Sequence, residues 1–158
     1  MTTDIARLLV EQTADAIIFA DREGRIRIWN GAAEALFGFR RTEAIGQSLD
    51  LIIPERLRAA HWEGFHHAVA SGRTRLGGRT RLGGRAVITR SVNAAGATIY
   101  VEMSFALVSD ERGDVLGSVA VARDATQRRE AERQLQQRIR TLEEASADAA
   151  SKTGRPSA

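Results

Sequence analysis

The sequence predicts an α+β fold in which helices pack on one face of a five-stranded antiparallel sheet. Three features of the chain indicate this fold. An apolar run, a polar turn and an alternating run over residues 16–29 have the pattern of a hairpin. A longer segment with apolar residues at helical spacing follows Pro54, and Ala97–Val108 alternates apolar and polar residues as a half-buried strand does. At 158 residues, the chain is long enough for one domain with terminal extensions.

Residues 1–14 are predicted to form an N-terminal amphipathic helix. Thr3 or Asp4 can cap its first turn, and its apolar residues share one face: Ile5, Leu8 and Leu9. So small a domain offers this stripe no obvious partner, which indicates docking on the sheet or on a second subunit.

A hairpin and a short helix come next. Ala16–Ala20 and Arg25–Trp29 are the predicted strands, and residues 21–24 supply the turn chemistry. Asn30 suits the N-cap of a helix that Gly38 ends. The inner face of that helix is apolar: Ala33, Leu36 and Phe37.

A longer helix is predicted to begin at Pro54, run to about Ala70 and end at Gly72. Its inner stripe falls at intervals of about one turn: Leu57, His61, Gly64 or Phe65, and Ala68. A polar imidazole on such a stripe needs a partner or a ligand.

The second half of the sheet is predicted from three runs, Ala86–Asn93, Ala97–Val108 and Val115–Ala122. Apolar residues of the middle run share one face: Ile99, Val101, Met103, Phe105 and Leu107. The hexapeptide TRLGGR occurs twice, at Thr74–Arg79 and Thr80–Arg85, and resembles an insertion. Either copy could pair at the start of the sheet, because a six-residue slip leaves each side chain on its own face.

Six arginines and no acids lie between Glu63 and Glu102. A nucleic-acid surface is one interpretation of this run, and the solvent face of a strand with its leading loop is the other. The second is favoured, because no aromatic residues interleave the arginines as a stacking platform requires.

Residues 127–145 are predicted to form a C-terminal helix or short coiled coil, followed by a disordered tail over 146–158. A seam with 4–3 spacing, of two heptads or fewer, is formed by Leu135, Ile139 and Leu142. The seam predicts a homodimer, and the alternative is a helix that folds back onto its own sheet.

Composition excludes several classes of function. The chain has no cysteine, which removes disulfides, thiolate nucleophiles, zinc ribbons and iron–sulfur clusters. No apolar run approaches the roughly 20 residues of a membrane span, so we expect no membrane insertion and a cytoplasmic protein. No catalytic set of residues has motif support, and we expect no enzyme activity.

The order strand, turn, strand, capping asparagine and two short helical segments, over residues 16–46, resembles the PAS (sensory-box) family. The run Arg123–Thr126 resembles that family's D-x-T junction between the last strand and an output helix. The resemblance covers residues 15–126 and implies a PAS fold with a sensory role in signal transduction. A small ligand or a partner would be bound, and the change would pass through the C-terminal helix to a kinase or transcription regulator. The residues implied in this relay are Arg123, Asp124 and Thr126.

His61 follows Pro54 by seven residues, a spacing similar to that of the proximal histidine in oxygen-sensing haem PAS domains. This resemblance implies His61 as the ligand of the haem iron, with a gas bound on the opposite side. The implied lining is Gly64, Phe65, Val101, Met103 and Phe105, with Arg79 or Arg85 near the bound gas. A structural histidine in a domain that binds another ligand, and a pure dimerisation scaffold without ligand, are the alternatives. Without cysteine, neither a cysteinyl-flavin adduct nor a thioester-linked chromophore can form.

Overall fold

Helices and strands follow one another along the chain in the order that the sequence predicts. The computed structural model describes residues 4–74, 78–79 and 86–153. Its helices are α1 Ile5–Gln12, α2 Gly31–Phe37, α3 Arg41–Ala44, α4 Glu55–Ser71 and α5 Thr126–Thr153, with a 3-10 turn at Leu49–Leu51. Its strands are β1 Ala16–Asp21, β2 Ile26–Trp29, β3 Arg73–Thr74, β4 Gly78–Arg79, β5 Val87–Val92, β6 Thr98–Ser109 and β7 Val115–Asp124.

Five of the strands form one antiparallel sheet with the order β2-β1-β7-β6-β5. The strand β7 lies at its centre, where Ala120 pairs with Ile18 of β1 and with Phe105 of β6. The first and last segments of the domain are therefore neighbours in the sheet. This arrangement confirms the predicted α+β class.

The core lies on one face of the sheet, against the helices. In β1 the residues Ala16, Ile18 and Ala20 are buried while the residues between them are half-buried. Trp29 and Phe37, with ring centroids 5.4 Å apart, are fully buried in the same core. The period of two along the strand thus selects which side chains meet the helices.

The turn between β1 and β2 is held by one carboxylate. Asp21 Oδ1 accepts hydrogen bonds from the backbone N–H groups of Glu23 and Arg25, and Asp21 Oδ2 accepts one from Arg27 Nε at 2.6 Å. Gly24 has φ +75, and a Cβ at this position would lie 2.2 Å from Cη2 of Trp62. Only glycine lets α4 approach the hairpin this closely.

The duplicated segment is the first place where the structure adds to the sequence. Residues Gly78–Arg79 of the first copy pair with Arg73–Thr74 as a separate two-stranded ribbon rather than within the five-stranded sheet. The second copy, Thr80–Arg85, lies outside the described residues. Two adjacent glycines weaken a strand, which favours a short ribbon at this point.

The C-terminal helix is longer than the sequence predicts. Of the segment 146–158, predicted to be disordered, residues up to Thr153 continue α5, and 154–158 lie outside the described residues. Four alanines lie between positions 145 and 150, and alanine is the strongest helix former. The described residues divide into two units between Ala125 and Thr126, so α5 forms a unit of its own.

None of the helices in the described part of the chain is long and apolar enough to cross a membrane.

Candidate functional site

Helix α4 carries the candidate site on its inner side. Gly72, with φ +66, is its C-cap, as the sequence predicts, and Pro54, predicted to lie in the first turn, is its N-cap. Phe65 and Ala68 are buried, and Leu57, His61 and Gly64 are half-buried. The predicted stripe therefore faces the domain, with the imidazole on the same side as the buried phenyl ring.

The sheet opposite α4 supplies an apolar wall. Val101 and Met103 of β6 are buried in one cluster with Phe65, and Phe105 packs against that cluster while half-buried. These four predicted lining residues are therefore brought together. Next to them, a Cβ added to Gly64 would meet no heavy atom of the described residues within 4 Å.

The His61 ring lies among aromatic neighbours. Its centroid is 5.1 Å from that of Trp62, edge to face, and 6.0 Å from that of Phe65, stacked. Its Nδ1 is buried and has no hydrogen-bond partner among the described residues. A buried polar atom without a partner is uncommon in folded proteins and marks the place where a ligand or water would bind.

The electrostatic surroundings of His61 favour the neutral ring. Burial lowers the pKa of the His61 imidazole, the Asp50 carboxylate partly offsets this, and the His66 ring lowers the pKa further. A neutral imidazole is the form that binds a metal ion through a ring nitrogen.

Trp62 and Asp50 join the site without having been predicted from the sequence. The Trp62 Nε1 donates a hydrogen bond to Asp50 Oδ1 at 2.8 Å, and Arg58 Nη2 donates to the Asp50 carbonyl oxygen at 3.2 Å. These bonds tie α4 to the segment that precedes it. Trp62 stands three residues before Phe65, a helical spacing that could have identified it, whereas nothing in the sequence around Asp50 marks it.

Of the two arginines predicted near the bound gas, the structure describes only Arg79. The backbone of Arg79 pairs with Arg73 in the β3–β4 ribbon, outside the five-stranded sheet. Arg85 lies outside the described residues. Their assignment to a ligand site stays a prediction.

The end of β7 is tied to the start of β1. Arg123 donates hydrogen bonds to the Asp15 carboxylate from Nε at 2.5 Å and from Nη2 at 2.8 Å. The hydrogen bond from Arg123 holds the pKa of the Asp15 carboxyl below its usual value. Asp124 ends β7 opposite Val101, the Ala125 N–H donates to the Tyr100 carbonyl oxygen at 2.8 Å, and Thr126 begins α5.

Asn30 connects the same region to α1. It is fully buried, and its Oδ1 accepts from the N–H groups of Ile17 at 2.9 Å and Ala33 at 3.0 Å. Its Nδ2 donates to the carbonyl oxygens of Val10 at 2.8 Å and Asp15 at 2.9 Å. The sequence predicts the N-cap bond to Ala33, but the other three bonds cross to elements 13 to 20 residues away.

The predicted seam on α5 is exposed. Leu135, Ile139 and Leu142 have exposed fractions of 60%, 48% and 68%. Within the described residues, no group of three or more His, Asp and Glu side chains could hold a metal ion.

Comparison with known proteins places these features in a family. The model of the PAS fold matches residues 6–125. The oxygen sensor protein DosP of Escherichia coli (strain K12) is 34% identical over 67 residues, which cover 42% of this chain and 8% of DosP. The signal transduction histidine-protein kinase AtoS of the same organism is 25% identical over 157 residues, which cover 98% of this chain and 24% of AtoS.

A PAS domain from Colwellia psychrerythraea superposes with a TM-score of 0.62 at 21% sequence identity, over 78% of this chain and 99% of that domain. This likeness shows the shared fold. The chain spans a quarter or less of the length of DosP and of AtoS.

Proposed function

This chain belongs to the PAS fold family, and on that basis we propose that it is a sensory domain that binds a small ligand between α4 and the sheet. PAS domains are typical of signal transduction sensors, as the similarity to DosP and AtoS illustrates. The main support for a ligand site here is the buried Nδ1 of His61, which has no hydrogen-bond partner among the described residues. Ligand binding beside His61 would satisfy that atom.

The proposed output passes through the junction of β7 with α5. The residues that lead into α5 are Arg123 and Asp124, and Thr126 is its first residue. A change on the inner face of the sheet reaches them through β6, because Val101 and Met103 pair with Asp124 and Ala122. The domain performs no chemical step in this proposal, and its partner is a kinase or a transcription regulator.

The proposed assembly is a homodimer. The exposed seam of Leu135, Ile139 and Leu142 supports it, because an apolar heptad stripe is stabilised when a second helix covers it. A second copy of the same helix carries the matching stripe.

Haem is the candidate ligand that the site favours. The neutral His61 ring with its unpartnered nitrogen, the open space beside Gly64 and the apolar wall of Val101, Met103 and Phe105 fit a flat, apolar macrocycle with an iron ligand. His61 would hold the iron and the wall would exclude water from it. When bound, haem supplies an iron centre that takes up a diatomic gas. The similarity to an oxygen sensor supports this candidate.

An absorption spectrum from 350 to 700 nm tests the proposal. The protein is purified from cells given a haem precursor, and spectra are recorded before and after addition of dithionite and carbon monoxide. We expect a Soret band at one haem per chain that shifts with carbon monoxide. His61→Ala should lose the band and keep its far-ultraviolet circular dichroism, whereas His67→Ala, which alters an exposed histidine of the same helix, should keep both.

Two outcomes would contradict parts of this proposal. A His61→Ala variant with an unchanged Soret band would show that another residue holds the iron. A colourless wild-type protein that does not take up added hemin would exclude haem. If native mass spectrometry of that protein also shows no retained small molecule, the ligand-binding function is wrong and a dimerisation scaffold remains.

A further inference from the structure

Helix α1 is attached to the domain through its last turn. None of its residues is buried, and its apolar residues Ile5, Leu8 and Leu9 are exposed. At the other end, the Val10 carbonyl oxygen accepts a hydrogen bond from Asn30, and the Glu11 carboxylate pairs with Arg41. A helix held by a few polar contacts, with little apolar area buried, is an element that can detach locally while the rest of a domain stays folded.

The Asn30 side chain caps two helices at once. Val10 is one of the last four residues of α1, whose carbonyl groups have no partner within the helix, and Asn30 Nδ2 supplies one. Asn30 Oδ1 meanwhile caps the first turn of α2 through the Ala33 N–H. The second Nδ2 bond, to the Asp15 carbonyl oxygen, places Asp15 in the same network.

The Asp15 side chain extends that network to the output junction. Its carboxylate receives both hydrogen bonds of Arg123, a two-point contact that fixes orientation as well as distance. Arg123 lies three residues before Thr126, where α5 begins. Three successive hydrogen-bonded contacts therefore lead from α1 to the junction: Val10 to Asn30 at 2.8 Å, Asn30 to Asp15 at 2.9 Å and Asp15 to Arg123 at 2.5 Å.

We propose that Asp15 is a positioning residue that couples the attachment of α1 to the state of the β7–α5 junction. A partner that removes α1 from the domain would then loosen the junction, and a change at the junction would loosen α1, because such coupling is reciprocal. The inference rests on the proposed relay through the junction. It adds to this relay a second input signal, the attachment or release of α1, which does not depend on a ligand.

Amide hydrogen exchange, followed by NMR on the full chain without ligand, tests this coupling. The reporters are the Leu8 amide in α1 and the Thr13 amide at its C-cap, bonded to the carbonyl oxygens of Asp4 and Leu9, and the Ala125 amide at the junction. Asp15→Asn removes the charge and keeps the shape, and it leaves Arg123 in place beside the charge of Glu102. An ion pair whose arginine is exposed contributes little to stability, so we expect these amides to exchange only roughly threefold to fivefold faster.

A matched control is available on the same sheet. Arg27 and Asp21 form an arginine–aspartate pair with similar exposure, and it has no bonded path to α1 through Asn30. Arg27→Gln should leave the Leu8, Thr13 and Ala125 amides unchanged. In the opposite direction, Leu8→Pro, which interrupts α1, should accelerate the Ala125 amide. Salt at about 1 M should bring the wild-type exchange rates close to those of Asp15→Asn, because it screens an exposed pair.

Three results would overturn the coupling. They are unchanged exchange of the α1 and Ala125 amides in Asp15→Asn, the same acceleration in Arg27→Gln, and an equal acceleration of the β6 amides, which would indicate general destabilisation. Haem binding is measured separately on the same variant. If the protein binds haem but Asp15→Asn leaves the exchange rates unchanged, the coupling of α1 to the junction is wrong and the ligand site stands. If Asp15→Asn accelerates exchange but the protein binds no ligand, the ligand site is wrong and the coupling stands.

Discussion

Replacing Asn30 by alanine should destabilise the domain more than any other single polar substitution in the region around α1. The side chain is fully buried and makes four hydrogen bonds, two as acceptor and two as donor. Each lost bond of this kind lowers the free energy of unfolding by about 0.5–1.5 kcal/mol, and a buried partner left without a bond costs about 1–3 kcal/mol. Loss of the N-cap of α2 is part of this sum.

The four bonds together give a loss of about 3–5 kcal/mol, since Ile17 and Ala33 are left with unpartnered N–H groups while the Val10 and Asp15 carbonyl groups can partly rehydrate. A domain of this size has a total stability of about 5–15 kcal/mol. Urea unfolding followed by circular dichroism measures the change as a lower midpoint with an unchanged slope. A loss below about 1 kcal/mol would contradict this prediction, because it would mean that the four partners of Asn30 bind water at no cost.

Asn30→Asp separates the donor and acceptor roles. The carboxylate still accepts from Ile17 and Ala33, but it faces the carbonyl oxygens of Val10 and Asp15. Its folded-state pKa should therefore lie above that of the unfolded chain, so the folded state binds more protons and the destabilisation shrinks as pH falls from 7 toward about 4. Asn30→Ala has no such group, and its deficit relative to wild type should not shrink in this way.

Three further predictions concern the β1–β2 turn and the exposed seam of α5. Gly24→Ala should lower the free energy of unfolding by about 2–4 kcal/mol, because the positive φ disfavours alanine and the new Cβ would clash with Trp62. Gly46→Ala, with φ +83 but open space around the Cβ, should lower it by only about 1–2 kcal/mol. Equal losses in urea unfolding would contradict the role given to Trp62. Ile139→Glu should convert the proposed dimer to monomer in analytical ultracentrifugation, and an unchanged mass would exclude the α5 seam as the interface. Burial alone would raise the pKa of Asp21, yet the hydrogen bonds from the Arg25 amide and the Arg27 guanidinium hold it below its usual value. The folded state therefore binds fewer protons in acid, and stability falls as pH drops through the folded pKa. Asp21→Asn should show a shallower loss of stability below about pH 4, and parallel curves of stability against pH would contradict this.

The elements of the domain were accessible from the sequence because their causes are local. The turn at residues 21–24, the cap at Asn30 and the end of α4 at Gly72 each depend on contacts within about four residues. The same holds for the face of β6, where the alternation of Val101 and Met103 with polar residues predicts which side is buried. Family resemblance then supplied the PAS fold and the sensory role, whereas the order of the strands came from the structure.

The candidate site was only partly accessible. The predicted lining residues Phe65, Val101, Met103 and Phe105 lie in or against one core cluster, and the predicted His61 ring stacks on Phe65. Trp62 and Asp50 were not, because their hydrogen bond joins α4 to a 3-10 turn whose position depends on the whole domain. The length of α5 was underestimated, since the small residues after 145 were interpreted as a polar tail although three of the five residues 146–150 are alanine.

Local geometry could be predicted from the amino-acid sequence: the strands of the five-stranded sheet, the helices that glycine and asparagine end or begin, and the apolar face of each. Contacts between residues far apart in the sequence were visible only in the tertiary structure. The clearest are Arg123 with Asp15, which are 108 residues apart, and Trp62 with Gly24. The physical reason is that a local pattern is selected by sterics and hydrogen bonds within one or two turns of chain. A distant pair meets only after the sheet has brought the two ends of the domain side by side, and many charged residues in the chain could have taken the same place.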